Sequence, residues 1–220
     1  MKLTNFICLA AALVTAQVTI ANAAPLPAPS GELFPLPSGP PISGGTLLFT
    51  TNVSFSSSTF NGSLTTSVFS GDVNNPNGGL TFTYSLVNSI SSPDAIHRFT
   101  IDGFAGYLTD VSFQPALGAV VPYDANRNNA GGTTLGFDFG LQIPPFSQQF
   151  APGDFTALLV VRTDSTSFTA GVGNVIDGSV ATAATVVPFG STVPVPEPTT
   201  FGCLLMGLGA LFVYGRSKLS

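Results

Sequence analysis

His97 is the one histidine in a chain of 220 residues, so any Ser–His–Asp or histidine–metal chemistry would have to pass through it. Asp94 and Arg98 lie close by, but Ser91-Ser92-Pro93 lacks the glycines of a nucleophile elbow, and the expectation is a strand-edge histidine with no catalytic part. The only cysteines, Cys8 and Cys203, fall in apolar stretches near the two ends. Thiol chemistry, a disulfide and cysteine-ligated zinc are thereby excluded from the body of the chain. Oxygen ligands recur at alternate positions in Asp124, Asn126 and Asn128, as calcium loops require, but Leu135 stands where the bidentate Glu would be needed. Asp72 to Gly79 is similar, with Pro76 at a ligand position, and both segments are expected to be solvated turns. A hydrolase would need a carboxylate pair with one pKa raised, and Asp residues in nearly every turn make a chance pair uninformative. The chain is therefore read as non-enzymatic, with no cofactor and no firm metal site.

A different kind of chemistry is written at the C-terminal end, where V-P-E-P-T-T precedes F-G-C-L-L-M-G-L-G-A-L-F-V-Y and then G-R-S-K-L-S. Pro196 and Pro198 fix φ, lack an N–H and push their preceding residues toward extended geometry. Val195 to Pro198 should thus display the Glu197 carboxylate on an extended backbone, the form a peptidase reads. Phe201 to Tyr214 carries no charge, so a helix there satisfies its own backbone and can enter lipid. At ~1.5 Å per residue it would reach about 21 Å, short of the ~30 Å hydrocarbon core, which suits a temporary anchor. Arg216 and Lys218 would hold the far end in the cytoplasm.

The order and spacing of these three blocks resemble the C-terminal sorting signal of PEP-CTERM proteins, the bacterial substrates of exosortase-type membrane enzymes. That family commonly ends in a denser run of arginines, whereas Ser217 separates only two bases here. The resemblance implies an exosortase-type partner and cleavage near Val195, Pro196, Glu197 and Pro198. The strings G-L-T-F-T-Y-S-L-V-N, I-H-R-F-T-I-D-G-F-A-G-Y-L-T-D-V and A-L-L-V-V-R-T-D, over most of residues 62–184, are similar to the β-rich ectodomain of many such proteins. No active site comes with that likeness.

The opposite end supports export. Met1-Lys2 is a minimal basic n-region, Phe6 to Ile20 an apolar h-region, and Ala21-Asn22-Ala23 an A-x-A site, so a signal peptidase should cut before Ala24 after passage through the secretory translocon. Phe6 and Ile7 are too large for Cys8 to be a lipoprotein acylation site. Between Ala24 and Pro194, ten acidic residues face three arginines, a net charge of −7. Such a surface repels phosphate backbones, which argues against nucleic acid as a partner.

The elements in between read as β-structure. Ala24 to Gly45 is too rich in proline to donate to a ladder and should be an extended linker or a strap, with Leu33, Phe34 and Leu36 able to pack. Leu80 to Asn88 alternates as a half-buried strand, with Leu80, Phe82, Tyr84 and Leu86 on one face. Gly62 to Phe69, Ile96 to Ile101, Val111 to Phe113, Leu135 to Phe139, Ser167 to Ala170 and Ile176 to Ala184 are further strands. Ala157 to Thr163 is apolar on both faces and reads as a central strand covered twice. Turn signals sit at Asn61-Gly62, Asn74 to Gly79, Asp102-Gly103 and Asp177-Gly178. The fold class is all-β, an antiparallel β-sandwich with a signal helix before it and a short transmembrane helix behind. The boundaries are 1–23 signal peptide, 24–45 linker, 46–190 sandwich ectodomain, 191–200 linker with the P-E-P motif, 201–215 transmembrane helix and 216–220 basic tail.

Asn52-Val53-Ser54 and Asn61-Gly62-Ser63 match the glycosylation sequon, and the hydroxyl-rich run Thr46 to Ser70 could carry O-linked sugar. The functional expectation is an exported, membrane-anchored protein passed to the envelope or extracellular matrix, structural or adhesive, with exopolysaccharide as a candidate partner. A secreted carbohydrate-binding module or glycoside hydrolase is the alternative. Exposed aromatics on one sheet would favour sugar binding, and a cleft with two facing carboxylates would favour catalysis.

Overall fold

A computed structural model describes residues 23–28, 30–127, 131–140 and 149–192. Twelve strands account for its regular structure, and no helix occurs among the described residues. They are β1 (Ala24–Pro25), β2 (Glu32–Leu33), β3 (Thr46–Ser56), β4 (Asn61–Ser70), β5 (Thr81–Asn88) and β6 (Arg98–Ile101). The second half contributes β7 (Thr109–Gln114), β8 (Asp124–Arg127), β9 (Leu135–Asp138), β10 (Leu158–Thr163), β11 (Ser165–Asp177) and β12 (Ser179–Thr192). The first sheet runs β1-β7-β10-β5-β4-β3 and the second β12-β11-β6-β9-β8-β2, with every strand pairing antiparallel. The expected signal helix and transmembrane helix lie outside the described residues.

Period-two alternation makes the sheets and their contents form the core. Phe82, Tyr84 and Leu86 of β5, with Val111, Leu159 and Val161, face Phe99, Ile101, Leu135, Phe137 and Val175 of the second sheet, all at 0% exposure. Each such side chain contributes about 1.5–3 kcal/mol by leaving water. Aromatic pairs join the layers: Tyr84 lies 5.8 Å from Phe99 and Phe82 6.1 Å from Phe104, ring centre to ring centre. The Tyr84 hydroxyl, buried in this apolar interior, donates to the Val186 carbonyl at 3.1 Å, and Thr66 and Thr185 share a hydrogen bond of 2.8 Å across the layers. The core thus needs neither tryptophan nor a disulfide.

Several sequence expectations need correction. Asn61-Gly62 is not a turn: the β3–β4 hairpin turns at Ser57–Phe60, where the Ser57 hydroxyl accepts from the amides of Thr59 and Phe60. Gly62 is required instead because a Cβ there would overlap the Val87 carbonyl and the Phe55 ring. Ile176 to Ala184 is two strands, since Gly178 at φ +60° turns the chain between β11 and β12. The outer face of β5 is covered rather than half-open: Thr81 and Thr83 are buried, and the Thr81 hydroxyl donates to Asp72.

The segment 24–45, expected as a linker too rich in proline to join a ladder, instead contributes a strand to each sheet. Ala24 and Pro25 pair with Val111 and Asp110, Glu32 and Leu33 pair with Asn126 and Ala125, and Leu26 and Leu36 are buried. The Gly39 amide donates to Phe113 O at 2.9 Å, so the prolines run along the outside of β7 and β10. At the far end of β10, Gly39 and Pro40 of this segment lie against the buried Arg162 side chain.

Candidate functional site

Register and pleat bring the polar side chains of the second sheet into one patch on its outer face. Arg98 of β6 is paired with Asp138 of β9, which is paired with Asp124 of β8. Two residues along, Gly136 is paired with Thr100 on one side and Asn126 on the other, and Asn126 is paired with Glu32 of β2. Phe99, Phe137 and Ala125, the intervening residues, point into the core, which fixes the polar set on the outside.

The patch is a closed network. Arg98 forms a short ion pair with Asp138 through Nη1 and donates from Nη2 to Asn126 Oδ1 at 2.7 Å. The Asn126 amide donates to Asp138 at 2.8 Å and to Asp124 at 3.2 Å. Gly136 allows this, because any Cβ there would overlap the Arg98 guanidinium lying across it. Burial, then the hydrogen bond and charge of Asp138, then Glu32 push the Asp124 carboxyl up to about 7, against the opposing pull of Arg98. Asp124 is therefore a candidate proton donor near neutrality. The two carboxylates converge on one Asn126 amide, with Arg98 beside them, an arrangement that holds a proton and a salt bridge in place.

Asp124 and Asn126 were expected in a loop and lie instead on a strand, where their alternate spacing puts both on one face. That is the same sequence signal with a different backbone: a period of two serves a ligand loop and a strand alike. Asn128 lies outside the described residues, and no group of three or more His, Cys, Asp or Glu suited to a metal occurs among the described residues. His97 precedes β6, half-exposed, with Nδ1 3.1 Å from Asp177 Oδ1. Beside the patch, Phe34 meets Tyr123 edge to face at 6.2 Å, and Phe34 is 53% exposed.

A second polar cluster was barely marked in the sequence. Arg162 of β10 is fully buried beneath the proline strap, its Nε 2.9 Å from Asp72 Oδ2 and its Nη2 donating to Pro40 O at 2.8 Å. Burial raises Asp72, but the Ser43 and Asn74 amides and Arg162 outweigh it, and the net shift is downward. Asp72, expected in a solvated turn, is thus a buried anchor. Asp110 faces the same arginine across the β7–β10 pair and is raised by burial. The only hint was a lone arginine inside the apolar run A-L-L-V-V-R-T.

Of the processing residues, Ala23 and Ala24 are described, and Ala24 opens β1, the first strand among the described residues. Ala21, Val195, Pro196, Glu197, Pro198, Arg216 and Lys218 lie outside the described residues. Residues 194–218 match the family model described as the PEP-CTERM protein-sorting motif. No curated protein and no solved structure matches the chain. The C-terminal end thus carries a PEP-CTERM sorting motif, which begins just past Thr192, the last residue of β12. The motif implies export, membrane-associated processing and an exosortase as the processing partner.

Proposed function

We propose that this chain is an exported structural or adhesive protein of the cell envelope or exopolysaccharide matrix, held by its tail until an exosortase-type enzyme cuts near Pro196-Glu197-Pro198. The observation that carries the reading is the sorting-motif match at residues 194–218, placed directly behind the last strand. Several features support the rest. β1 begins at Ala24, the residue expected to become the new N-terminus. The polar groups of the outer patch, Arg98, Asn126, Asp124 and Asp138, are hydrogen-bonded to one another and tie three strands together, as a structural role requires. The test is fractionation of cells expressing wild type or Glu197→Ala. Wild type should reach the medium or the matrix while the variant stays in the membrane; equal distribution of the two would defeat the reading.

Sugar binding is the second reading, favoured by the Phe34–Tyr123 pair beside Glu32 and Asp124. Retardation on a gel containing exopolysaccharide should then be lost in Phe34→Ala, and no retardation of wild type would remove this reading.

A further inference from the structure

The four edges of the two sheets are not treated alike. On one side the sheets end in β1 and β2, two residues each, one containing Pro25 and the other Glu32. Short strands, proline and charge are the devices that keep a sheet edge from pairing with another chain. On the other side they end in β3 and β12, of 11 and 14 residues, and neither contains a charged residue.

We propose that β3 is an open strand-addition edge whose occupant is β3 of a second copy of this chain, paired antiparallel across a two-fold axis. Among the described residues the β3 backbone is hydrogen-bonded to β4 alone, which leaves about half of its N–H and C=O groups pointing outward with no protein partner. β12 is less open: hydroxyls of Tyr84, Ser165 and Tyr107 already donate to its carbonyls at Val186, Phe189 and Gly190. Beside β3 runs a largely apolar groove of about 410 Å³, between Phe49 and Val53 of β3 and Phe168, Ala170 and Val186 of the β11–β12 hairpin. A strand added to β3 would cover that groove, the combination of free backbone and side-chain pocket that strand addition uses.

Charge and register select a second copy as the occupant. Residues 33–71 and 178–196 contain no charged side chain, and they supply β3, β4 and β12. All ten acidic residues before the sorting motif lie outside these segments, so this side sets no run of like charge against a second copy of this acidic molecule. β3 is also self-complementary. Centred on Thr51, antiparallel pairing sets Phe49 opposite Val53 of the second copy, and Thr50 opposite Asn52. Leu47 and Leu48, 50% and 47% exposed, would be covered at each end. The bulge between Leu47 and Phe49 disturbs only the first residues of the strand. Because the opposite edges are blunted, the assembly closes as a dimer and does not grow into a fibre.

The test uses the full-length chain in detergent, with Cys8→Ser and Cys203→Ser in the cysteine variants. Light scattering should give a dimer for wild type and a twofold lower protein mass for Thr51→Lys, which sets two ammonium groups face to face at the axis. Thr51→Cys should form a disulfide-linked dimer on mild oxidation, whereas Leu117→Cys, fully exposed in the loop after β7, should not. A monomeric wild type overturns the proposal. So does a dimer that survives Thr51→Lys while Thr51→Cys cross-links no faster than Leu117→Cys. Neither result depends on whether the tail is processed.

Discussion

Replacing Asp124 by asparagine should stabilise the protein, and only above the acid range. Asp124 is raised from 3.8 to about 7 by burial first, then by Asp138 and Glu32. The folded state therefore holds a proton that the unfolded chain has released between about pH 4 and pH 7, so wild-type stability falls as pH rises through that window. A gap of about 3 units at 1.36 kcal/mol each sets a ceiling of about 4 kcal/mol, and sharing of charge with Asp138 brings the expectation to about 2–4 kcal/mol. In Asp124→Asn the side-chain oxygen still accepts from Asn126, and the amide donates toward Asp138 in place of the acid proton. The variant and wild type should match near pH 4, diverge up to about pH 7 and hold that difference at pH 8. There the variant should melt about 5–15 °C higher, at about 2–4 °C per kcal/mol for a domain of this size. With four tyrosines and no tryptophan, tyrosine fluorescence and circular dichroism are the probes. A difference that does not vary with pH, or a variant less stable than wild type at pH 8, would refute the reasoning.

Other outcomes follow from the packing. Arg162→Met should cost about 3–5 kcal/mol in urea titrations, because it leaves Asp72 charged and buried without its partner; adding Asp72→Asn should recover much of that loss. Failure of the double variant to recover any stability would mean that the strap contact to Pro40, not the charge, is what matters. Gly173→Ala sets a Cβ 2.8 Å from the Phe99 ring and should cost about 1–3 kcal/mol by overpacking, whereas Gly178→Ala, with open space around it, should be penalised only for its positive φ. Equal thermal shifts for the two glycines would contradict the tight inter-sheet fit.

The strands were legible where one face is buried and the other wet. Leu80 to Asn88 alternates in sequence because Phe82, Tyr84 and Leu86 face the second sheet, and the apolar run at Ala157 to Thr163 marked β10 because its residues on both faces are buried. β3 was not legible as a strand. From Phe49 on, Phe49, Thr51, Val53 and Phe55 do alternate with Thr50, Asn52 and Ser54, but the bulged L-L-F start breaks the period and the run reads first as a hydroxyl-rich stretch. β8 was misread as a solvated turn because D-A-N-R is mostly polar with oxygens at a period of two, and only the pairing of Asp124 with Asp138 reveals the strand. The polar network was unreadable for a different reason. Arg98, Asp138, Asn126 and Glu32 are scattered over more than a hundred residues and meet only through cross-strand register. Local tail chemistry needs no fold to be read, and V-P-E-P followed by an uncharged run was plain from the sequence.

Intact mass of the protein recovered outside the cell reads both ends of the account in one spectrum. The prediction is a species that starts at Ala24, ends near Pro196-Glu197-Pro198 and lacks residues 201–220, and that is absent when Glu197 is alanine. A released wild-type protein whose mass still includes the apolar run and the basic tail would contradict exosortase-type processing and leave only a tethered β-sandwich.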